Sequence, residues 1–529
     1  MDLHGCQIIA GRAVAGGTVT FHGRNPATGE ETTPPVHEAT SVEVDQALRA
    51  ADAAFEDYRQ LGGERIGAFL EAVAGEWMAL GDVLLDQARA ETALPLSRLT
   101  GERARMVNQA RTFAALAREG SWVDARIDRA DPARQPAPKP DVRRMLQPIG
   151  PVAVFGAGNF PFAISVGGGD TVSALAVGCP VVAKAHPGHP GTCEMLGRAI
   201  VAAAEKTGVP AGVFGMVHGR GHEVGLALVR HPLTRVVAFT GSQVGGRALF
   251  DAAAARPDPI PVCAEMGSTN PVFVLPGAMA ERGANIAEGY VQSVTLGTGQ
   301  FCTNPGVLLA VEGPSLAAFL DAIAKAAAAV APSTMLGAAT CQAFHGGLER
   351  VLRTPGVSVL GQSRIAPDAG RLEAACAILE AALATLEARP HLWDEVFGPA
   401  SIVIVCPEPA DLTRVARRLH GHLTASIHGT AAEIEASRDL VSALERRVGR
   451  IVLNGYPTGI EVCAAMHHGG PYPATTDERY TSIGTASIER FVRPVCYQGF
   501  PPSALPAELR DDNPRGIWRL VDGERTRGR

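Results

Sequence analysis

VAVF (152–155) opens a series of five short apolar runs that decide the fold. The other four are VVAK (181–184), VFGMV (213–217), RVVAF (235–239) and IPVCAE (260–265). The stretches between the runs are patterned as helices, for example at 190–207 and 242–255. Strands that are apolar throughout are typical of a parallel sheet that helices cover on both faces. We therefore expect a doubly wound α/β domain that binds its ligands at the carboxyl ends of these strands.

A second region of the same kind extends from PVFVL (271–275) to about residue 460 and includes SIVIVC (401–406) and RIVLN (450–454). The segment 121–147, which precedes the first sheet, is rich in Pro, Arg and Asp. That composition fits either a linker or an extended arm that packs on another subunit. Beyond residue 500 the chain is polar and Pro-rich, and GIWRLVDG (516–523) is its one apolar cluster. Two α/β domains and an appendage are therefore predicted.

The composition narrows the class of protein. The 529 residues are 46% hydrophobic and 19% charged, which excludes a largely disordered chain. The net charge of −6 and the absence of a basic block argue against nucleic acid as a partner. No apolar window is long enough for a membrane span, and the first residues do not resemble a secretory signal. The ten cysteines show no CxxC spacing, so we expect a cytoplasmic protein without a metal site or a disulfide framework.

Three residues stand out as candidates for chemistry. Cys302 lies in LGTGQFCTNPG (296–306), a loop punctuated by Gly and Pro, which favours a nucleophile over an inert thiol. Glu265 ends an apolar strand, where it could be a general base with a raised pKa or a capping or ion-pairing residue. Asn159 follows strand 152–155 and is either a turn residue or an amide donor to an oxyanion.

The glycine-rich segments do not match the usual dinucleotide fingerprint. FGAGNFPF (155–162) has Pro161 where a third glycine would be needed. GSQVGG (241–246) follows a strand and opens a helix, so its backbone N–H groups could hold an anion. Lys184 ends the strand VVAK, where it either extends to solvent or binds a ribose or phosphate. These features indicate a nucleotide site of an unusual kind.

Six motifs occur in an order that resembles the aldehyde dehydrogenase superfamily. They are NFPF with Asn159, VVAK with Lys184, AFTGSQVGG, AEMG with Glu265, GQFCTNPG with Cys302, and EVFGP with Glu395 and Phe397. The chain departs from the common pattern at GAGNFPF, at AEMGSTN and in the late loop HHGGPYPATTDERYTSIG (467–484). These departures resemble the branch of α-ketoglutaric semialdehyde (2,5-dioxopentanoate) dehydrogenases and the NADP-dependent fatty aldehyde dehydrogenase of luminous bacteria.

The resemblance implies an organisation into two doubly wound parallel-sheet domains and a β oligomerisation arm. The expected parts are a dinucleotide-binding domain (1–121 and 147–265), a catalytic domain (266–462), the arm (122–146 and 485–500) and a C-terminal tail (501–529). Such arms extend the sheet of a partner subunit in this family, so a homodimer or homotetramer is expected.

The resemblance also assigns roles to residues. Cys302 would attack the aldehyde, Asn159 would stabilise the oxyanion, and Glu265 would activate the water that hydrolyses the thioester. Further residues would bind the nicotinamide cofactor, namely Lys184 and Glu395 at the ribose hydroxyls, Phe397 at the nicotinamide ribose, and Gly241, Ser242 and Gly246 along the pyrophosphate.

The choice of cofactor and substrate depends on positions where this chain departs from the pattern. Pro187 stands where NAD-preferring members usually have a glutamate, and His186 and Arg220 could approach a 2′-phosphate. We therefore predict NADP as the preferred cofactor, with NAD possible. Phe160 and Arg479 are the candidate substrate-binding residues, and Arg479 would bind a distal carboxylate.

The substrate that best fits is an aldehyde with an acidic end, namely α-ketoglutaric semialdehyde, which would be oxidised to 2-oxoglutarate. A long-chain aldehyde is the alternative within the same class. A catalytically silent structural or binding homologue is the alternative of another class, but the presence of Cys302, Glu265 and Asn159 argues against it.

Overall fold

The computed structural model describes residues 2–528, which form fifteen α-helices and twenty-three β-strands. The helices are α1 (Ser41–Arg59), α2 (Gly62–Ala79), α3 (Gly81–Thr92), α4 (Leu96–Glu119), α5 (Gly169–Ala176), α6 (Pro190–Thr207), α7 (Glu223–Arg230), α8 (Gln243–Ala254), α9 (Pro276–Thr295), α10 (Leu316–Ala329), α11 (Ala338–Leu352), α12 (Leu383–Ala388), α13 (Pro409–Arg418), α14 (Ala431–Ala436) and α15 (Arg438–Glu445). The strands are β1 (Gln7–Ile9), β2 (Arg12–Val14), β3 (Thr20–Phe21), β4 (Val36–His37), β5 (Arg126–Asp128), β6 (Val142–Pro148), β7 (Val152–Phe155), β8 (Val181–Lys184), β9 (Phe214–Val217), β10 (Val236–Thr240), β11 (Val262–Glu265), β12 (Val272–Val274), β13 (Val307–Val311), β14 (Ser333–Thr334), β15 (Val357–Gln362), β16 (Glu373–Ala374), β17 (Ala377–Ala382), β18 (Ala400–Cys406), β19 (His422–His428), β20 (Val448–Leu453), β21 (Val492–Gln498), β22 (Arg519–Val521) and β23 (Glu524–Thr526).

The five predicted apolar runs form the parallel part of a seven-stranded sheet. Its order is β11-β10-β7-β8-β9-β1-β2, and the five strands β7 to β11 pair in parallel. The hairpin β1–β2 extends this sheet on the β9 side with antiparallel pairing. Helices α2, α4 and α6 pack on the sheet, and Trp77 lies fully buried in their core. The predicted α/β fold is confirmed.

A second seven-stranded sheet is built from the middle of the chain. Its order is β15-β17-β18-β13-β12-β19-β20, and only the edge strand β15 is antiparallel to its neighbour. Separate hydrophobic clusters lie on its two faces. Both sheets are therefore covered by helices, as continuous apolar strands require. The limits of the two domains remain a prediction.

The segment predicted as an arm forms a third sheet in which the C-terminal residues take part. Its order is β21-β6-β5-β22-β23, with β21 antiparallel to β6. The expectation of a separate polar tail over 501–529 is corrected here, because β22 pairs with β5 and β23 pairs with β22. Leu505, Leu509, Ile517 and Val521 share a small core with Ile127. The segment 501–529 has few apolar residues, so its alternation of polar and apolar side chains is too weak to predict β22 and β23 from the sequence.

The two large sheets meet at the region that contains the candidate residues. Lys184 and Glu265 are the last residues of β8 and β11, and Asn159 follows the carboxyl end of β7. Cys302 precedes β13 and Glu395 precedes β18, so they lie at the amino ends of strands in the second sheet. The carboxyl edge of one sheet thus faces the amino edge of the other. Among residues 2–528, no helix combines the length and the apolar composition that a membrane crossing requires.

Candidate active site

The loop that carries Cys302 is held in an uncommon backbone conformation. Thr298 and Gly299 have φ angles of 59° and 66°. A Cβ atom at Gly299 would lie 2.2 Å from the carbonyl carbon of Gly398, so only glycine fits this close approach. The Asn304 Nδ2 donates to the carbonyl oxygens of Gly299 and Gly398, at 2.7 Å each. These contacts fix the Cys302 loop against the segment that follows Glu395.

Asn270 fixes the backbone of Cys302 itself. Its Nδ2 donates to the carbonyl oxygens of Cys302 and Asn304, at 2.9 Å each, and its side chain is fully buried. Within residues 2–528 the backbone N–H of Cys302 has no hydrogen-bond acceptor. An N–H that is held in place and left free can donate to an oxyanion that forms at the adjacent thiol.

Cys302, His468 and Glu265 form a chain of side-chain contacts. The Sγ atom of Cys302 lies 3.4 Å from the Nε2 of His468, and the same Nε2 lies 3.0 Å from the Oε1 of Glu265. The Ser482 hydroxyl donates to the other carboxylate oxygen of Glu265. His468 is fully buried and Glu265 is nearly so. Because one imidazole nitrogen contacts both the thiol and the carboxylate, His468 can exchange a proton with either of them.

The electrostatics of this chain correct one expectation. The sequence predicts a raised pKa for Glu265, and burial alone would raise it. The adjacent His468 imidazole and the Ser482 hydroxyl more than offset burial, so the pKa of the Glu265 carboxyl lies below its ordinary value. Burial and the Glu265 charge raise the pKa of the Cys302 thiol well above its ordinary value. The resting pair is therefore a carboxylate and a neutral thiol.

Asn159 contacts the loop that carries Cys302. Its Nδ2 donates to the carbonyl oxygen of Gln300, at 2.9 Å, two residues from the thiol. The carbonyl oxygen of Asn159 accepts a hydrogen bond from Arg98, at 3.2 Å. The amide thus faces the Cys302 loop and can turn to a tetrahedral oxygen on the substrate.

His468 and Ser482 are site residues that the sequence did not identify. Both belong to the divergent loop 467–484, which was noted only as a departure from a familiar pattern. The loop returns to the first sheet through an isolated bridge between Glu265 and Thr475. The one signal in the sequence was the pair His467 and His468 followed by two glycines, and such a pair is not typical of any particular function. The contact between Cys302 and His468 joins residues that are 166 positions apart, and no local sequence pattern reveals it.

The candidate cofactor residues lie along the carboxyl edge of the first sheet. Lys184 Nζ donates to the carbonyl oxygen of Gly219, at 2.7 Å, and burial lowers its pKa to about 8. Pro187 and His186 are half-buried in the following turn, and the His186 ring stacks on His189. Arg220 is exposed, and its backbone N–H donates to the Glu38 carboxylate.

The segment Gly241–Gly246 caps a helix, as its pattern suggested. Ser242 is the residue before α8, and its Oγ accepts a hydrogen bond from the N–H of Gly245, at 3.2 Å. A Cβ atom at Gly246 would lie 2.8 Å from the side chain of Met266, so glycine permits this helix to approach β11 closely. The free N–H groups of the first turn face the edge where an anion would bind.

Glu395 and Phe397 approach the same edge from the second sheet. The Glu395 carboxylate packs against Gly267, where an added Cβ would lie 2.5 Å from its oxygen. Burial raises the pKa of Glu395 to about 8. Phe397 is half-buried beside the Gly398 carbonyl that Asn304 binds. The Glu395 charge also raises the pKa of the Cys302 thiol, so this carboxylate lies near the thiol.

The two candidate substrate residues differ in position. Phe160 is buried, and its ring meets that of Phe301 edge to face at 5.2 Å, next to Cys302. Arg479 has a side chain that is 75% exposed and forms an ion pair with Asp477, two residues away. Its guanidinium also lies over the ring of Tyr480. The structure therefore places Phe160 against Phe301, the residue before Cys302, and Arg479 on the surface.

A match to known sequences agrees with this geometry. Residues 14–473 match the model of the "Aldehyde dehydrogenase family". The chain belongs to the aldehyde dehydrogenase family. It is 48% identical over 525 residues to the alpha-ketoglutaric semialdehyde dehydrogenase 2 of Azospirillum brasilense, covering 99% of this chain and 100% of that protein. It is 43% identical over 520 residues to the alpha-ketoglutaric semialdehyde dehydrogenase of Acinetobacter baylyi, covering 98% of each.

Solved structures of aldehyde dehydrogenases share the fold at much lower identity. The aldehyde dehydrogenase KauB from Pseudomonas aeruginosa has a TM-score of 0.80 at 20% identity, and the match covers 94% of this chain and 97% of that one. This likeness shows the fold of the family, with its α/β sheets and helices. The family match and the two relatives at 48% and 43% identity make this chain an NAD(P)-dependent aldehyde dehydrogenase.

The contacting side chains of Glu265, Cys302 and His468 could also hold a cation, although the sequence predicts no metal site. One ligand atom each from Glu265, Cys302 and His468 lies within 4.8 Å of the other two. Thiolate, imidazole and carboxylate are the ligands that zinc prefers. A cation bound there would occupy the thiol, so it would compete with the aldehyde instead of assisting its oxidation.

Proposed function

We propose that this aldehyde dehydrogenase oxidises α-ketoglutaric semialdehyde (2,5-dioxopentanoate) to 2-oxoglutarate through a thioester on Cys302. The observation that carries the proposal is the near full-length similarity to two α-ketoglutaric semialdehyde dehydrogenases. The buried chain of Cys302, His468 and Glu265 supports the chemistry.

Acylation begins with removal of the thiol proton. The Nε2 of His468 lies 3.4 Å from the Cys302 sulfur, so it can take this proton as the sulfur attacks the aldehyde carbon. The Asn159 amide and the Cys302 N–H stabilise the oxyanion that forms. A nicotinamide cofactor held by Lys184, Glu395 and the N-terminus of α8 would supply the acceptor for the hydride of the tetrahedral carbon.

Deacylation needs a base that remains ionised in a buried site. His468 and Ser482 hold the Glu265 carboxylate in its charged form. Glu265 then takes a proton from the water that attacks the thioester. The carboxylate product leaves, and the thiol of Cys302 regains a proton.

The residues along the first sheet suit a nicotinamide dinucleotide. The N-terminus of α8 offers free N–H groups to a pyrophosphate. Lys184 ends β8, which is separated by β7 from β10, the strand that leads into α8. Proline at 187 places no carboxylate where a 2′-phosphate would bind, which supports NADP as the preferred cofactor and NAD as a second one. Glu38 opposes this preference, because its carboxylate accepts a hydrogen bond from the Arg220 N–H and its negative charge would repel a 2′-phosphate nearby.

The test of the substrate is a comparison of kcat/KM for 2,5-dioxopentanoate, succinate semialdehyde and decanal, each with NADP and NAD. The proposal expects 2,5-dioxopentanoate to give the highest value. A higher value with decanal would favour a long-chain aldehyde dehydrogenase instead. For the cofactor, Glu38→Gln should tighten NADP binding relative to NAD, and NAD binding more than about tenfold tighter than NADP in the parent enzyme would contradict the preference.

We also propose a cytoplasmic homodimer or homotetramer. The ten cysteines are all free in the structure, which suits a reducing compartment. Strand β21 is an outer edge of the third sheet, where it can pair with another chain.

A further inference from the structure

One face of helix α4 lies against the catalytic loops. The Glu102 carboxylate accepts hydrogen bonds from the N–H groups of Phe162 and Ala163, at 2.8 and 2.9 Å. One turn earlier, Arg98 lies over the rings of Phe160 and Phe301, with its guanidinium carbon 4.3 and 4.7 Å from their centroids. This face of α4 therefore packs against Phe160–Ala163 and against Phe301, the neighbour of Cys302.

Arg105 is the next residue on this face and differs from Arg98 in its contacts. Arg98 donates to the Asn159 carbonyl and lies 3.5 Å from Glu102. The Nε and Nη2 atoms of Arg105 are buried and have no hydrogen-bond partner among residues 2–528. Burying guanidinium donors without acceptors is unfavourable, so a site of this kind favours a ligand that supplies them.

The position of Arg105 relates it to the reacting centre. Its guanidinium carbon lies 5.5 Å from the centroid of the Phe160 ring, which also packs against Phe301, the neighbour of Cys302. Its charge is also close enough to lower the pKa of the Cys302 thiol, although burial and Glu265 outweigh this effect. The Arg105 guanidinium thus lies over the Phe160 ring and close enough to the Cys302 thiol for its charge to act on it.

We propose that Arg105 binds the carboxylate of the substrate at the end opposite the aldehyde. This inference rests on the proposed function, because it assumes a substrate with an aldehyde at one end and a 2-oxo acid at the other. A carboxylate offers two oxygens to the buried Nε and Nη2, which is the paired geometry that guanidinium groups favour. The Phe160 ring packs against the carbon chain between the two ends.

Two other arginines are weaker candidates for this role. Arg479 is exposed and paired with Asp477, so it neither faces the thiol nor lacks a partner. Arg450 has a buried Nε without a partner, but its two terminal nitrogens donate to the carbonyl oxygens of Gly459 and Pro457. These bonds hold the loop after β20, which leaves Arg105 as the better site for an anion.

The experiment compares kcat/KM for 2,5-dioxopentanoate with kcat/KM for pentanal, which has no carboxylate. The variants are Arg105→Met, Arg105→Lys and the control Arg111→Met, whose parent side chain lies on the same helix and is 56% exposed. Loss of a charged hydrogen-bond pair should lower the acidic-to-neutral ratio about ten- to a hundredfold in Arg105→Met, chiefly through KM. Arg111→Met should keep the ratio of the parent enzyme.

The outcomes separate this inference from the proposed function. If the parent enzyme does not prefer 2,5-dioxopentanoate to pentanal, the proposed function fails. If the parent has that preference and Arg105→Met retains it, the role of Arg105 is refuted while the function stands. Should Arg105→Met fail to fold, Arg105→Lys decides, since it keeps the charge and loses the paired geometry. A fall in the ratio of at least about fivefold supports the inference, and an unchanged ratio overturns it.

Discussion

The raised pKa of the Cys302 thiol predicts how the reaction depends on pH. Burial and the Glu265 charge raise the pKa of the thiol above its ordinary value of 9.0, so the thiolate fraction grows as pH rises. The pKa of Glu265 is lowered, so its carboxylate stays charged and does not lose function near neutral pH. We expect kcat/KM and the rate of iodoacetamide inactivation to rise together from neutral pH to about pH 9. Rates that are flat over this range would contradict the assignment.

The side chains around Cys302 also predict that zinc inhibits the enzyme. Cys302, His468 and Glu265 offer a thiol, an imidazole and a carboxylate within 4.8 Å of one another. We expect Zn²⁺ to inhibit reversibly and in competition with the aldehyde, and EDTA to restore activity. His468→Asn removes one ligand and should raise the inhibitory concentration by about tenfold or more. Equal inhibition of both enzymes would place the zinc elsewhere.

Among the elements, the five apolar strands of the first sheet could be predicted, whereas the C-terminal strands β22 and β23 could not. The predicted runs 152–155 and 181–184 coincide with β7 and β8, because buried parallel strands are uniformly apolar. The capping box of Thr40 and Glu43 likewise marks the start of α1, since its bonds are local in sequence. Strand β22 pairs with a segment almost 400 residues earlier, and nothing local encodes that partner.

The buried arginine of β22 gives a test of the third sheet. Arg519 is 2% exposed and donates to the carbonyl oxygens of Arg510, Asp511 and Gly528. Removing its guanidinium leaves these acceptors unpaired, so Arg519→Ala should lower the free energy of unfolding by about 1.5–3 kcal/mol. Arg525→Ala, at an exposed position on β23, serves as the control and should change it by less than about 0.5 kcal/mol. Matching denaturation midpoints for the two variants would argue against a folded tail.

At the scale of the whole molecule, the site lies between two sheets that are separate in sequence. The ordered motifs predicted the thiol, the base and the amide, because each belongs to a short local pattern. His468, Ser482 and Arg105 come from distant segments, and their roles follow only from packing. Their side chains are common types in unremarkable contexts, so sequence alone could not assign them.

The exposed edge of β21 predicts how the molecule assembles. A strand edge at the outside of the third sheet offers free N–H and carbonyl groups to a second copy. Light scattering should therefore give a mass of two or four times the 55.1 kDa of one chain. A monomer at micromolar concentration would contradict an arm that extends a partner's sheet.

The thioester on Cys302 is tested most directly by examining this residue in an enzyme whose deacylation is blocked. Glu265→Gln lacks the carboxylate that activates water, so mixing it with 2,5-dioxopentanoate and NADP should give a burst of reduced cofactor without steady turnover. Mass spectrometry of the quenched protein should then find the acyl group of 2-oxoglutarate on the peptide that contains Cys302, and none in Cys302→Ala. Normal turnover of Glu265→Gln would contradict the role of Glu265 in deacylation, and an acyl group on another residue would contradict Cys302 as the nucleophile.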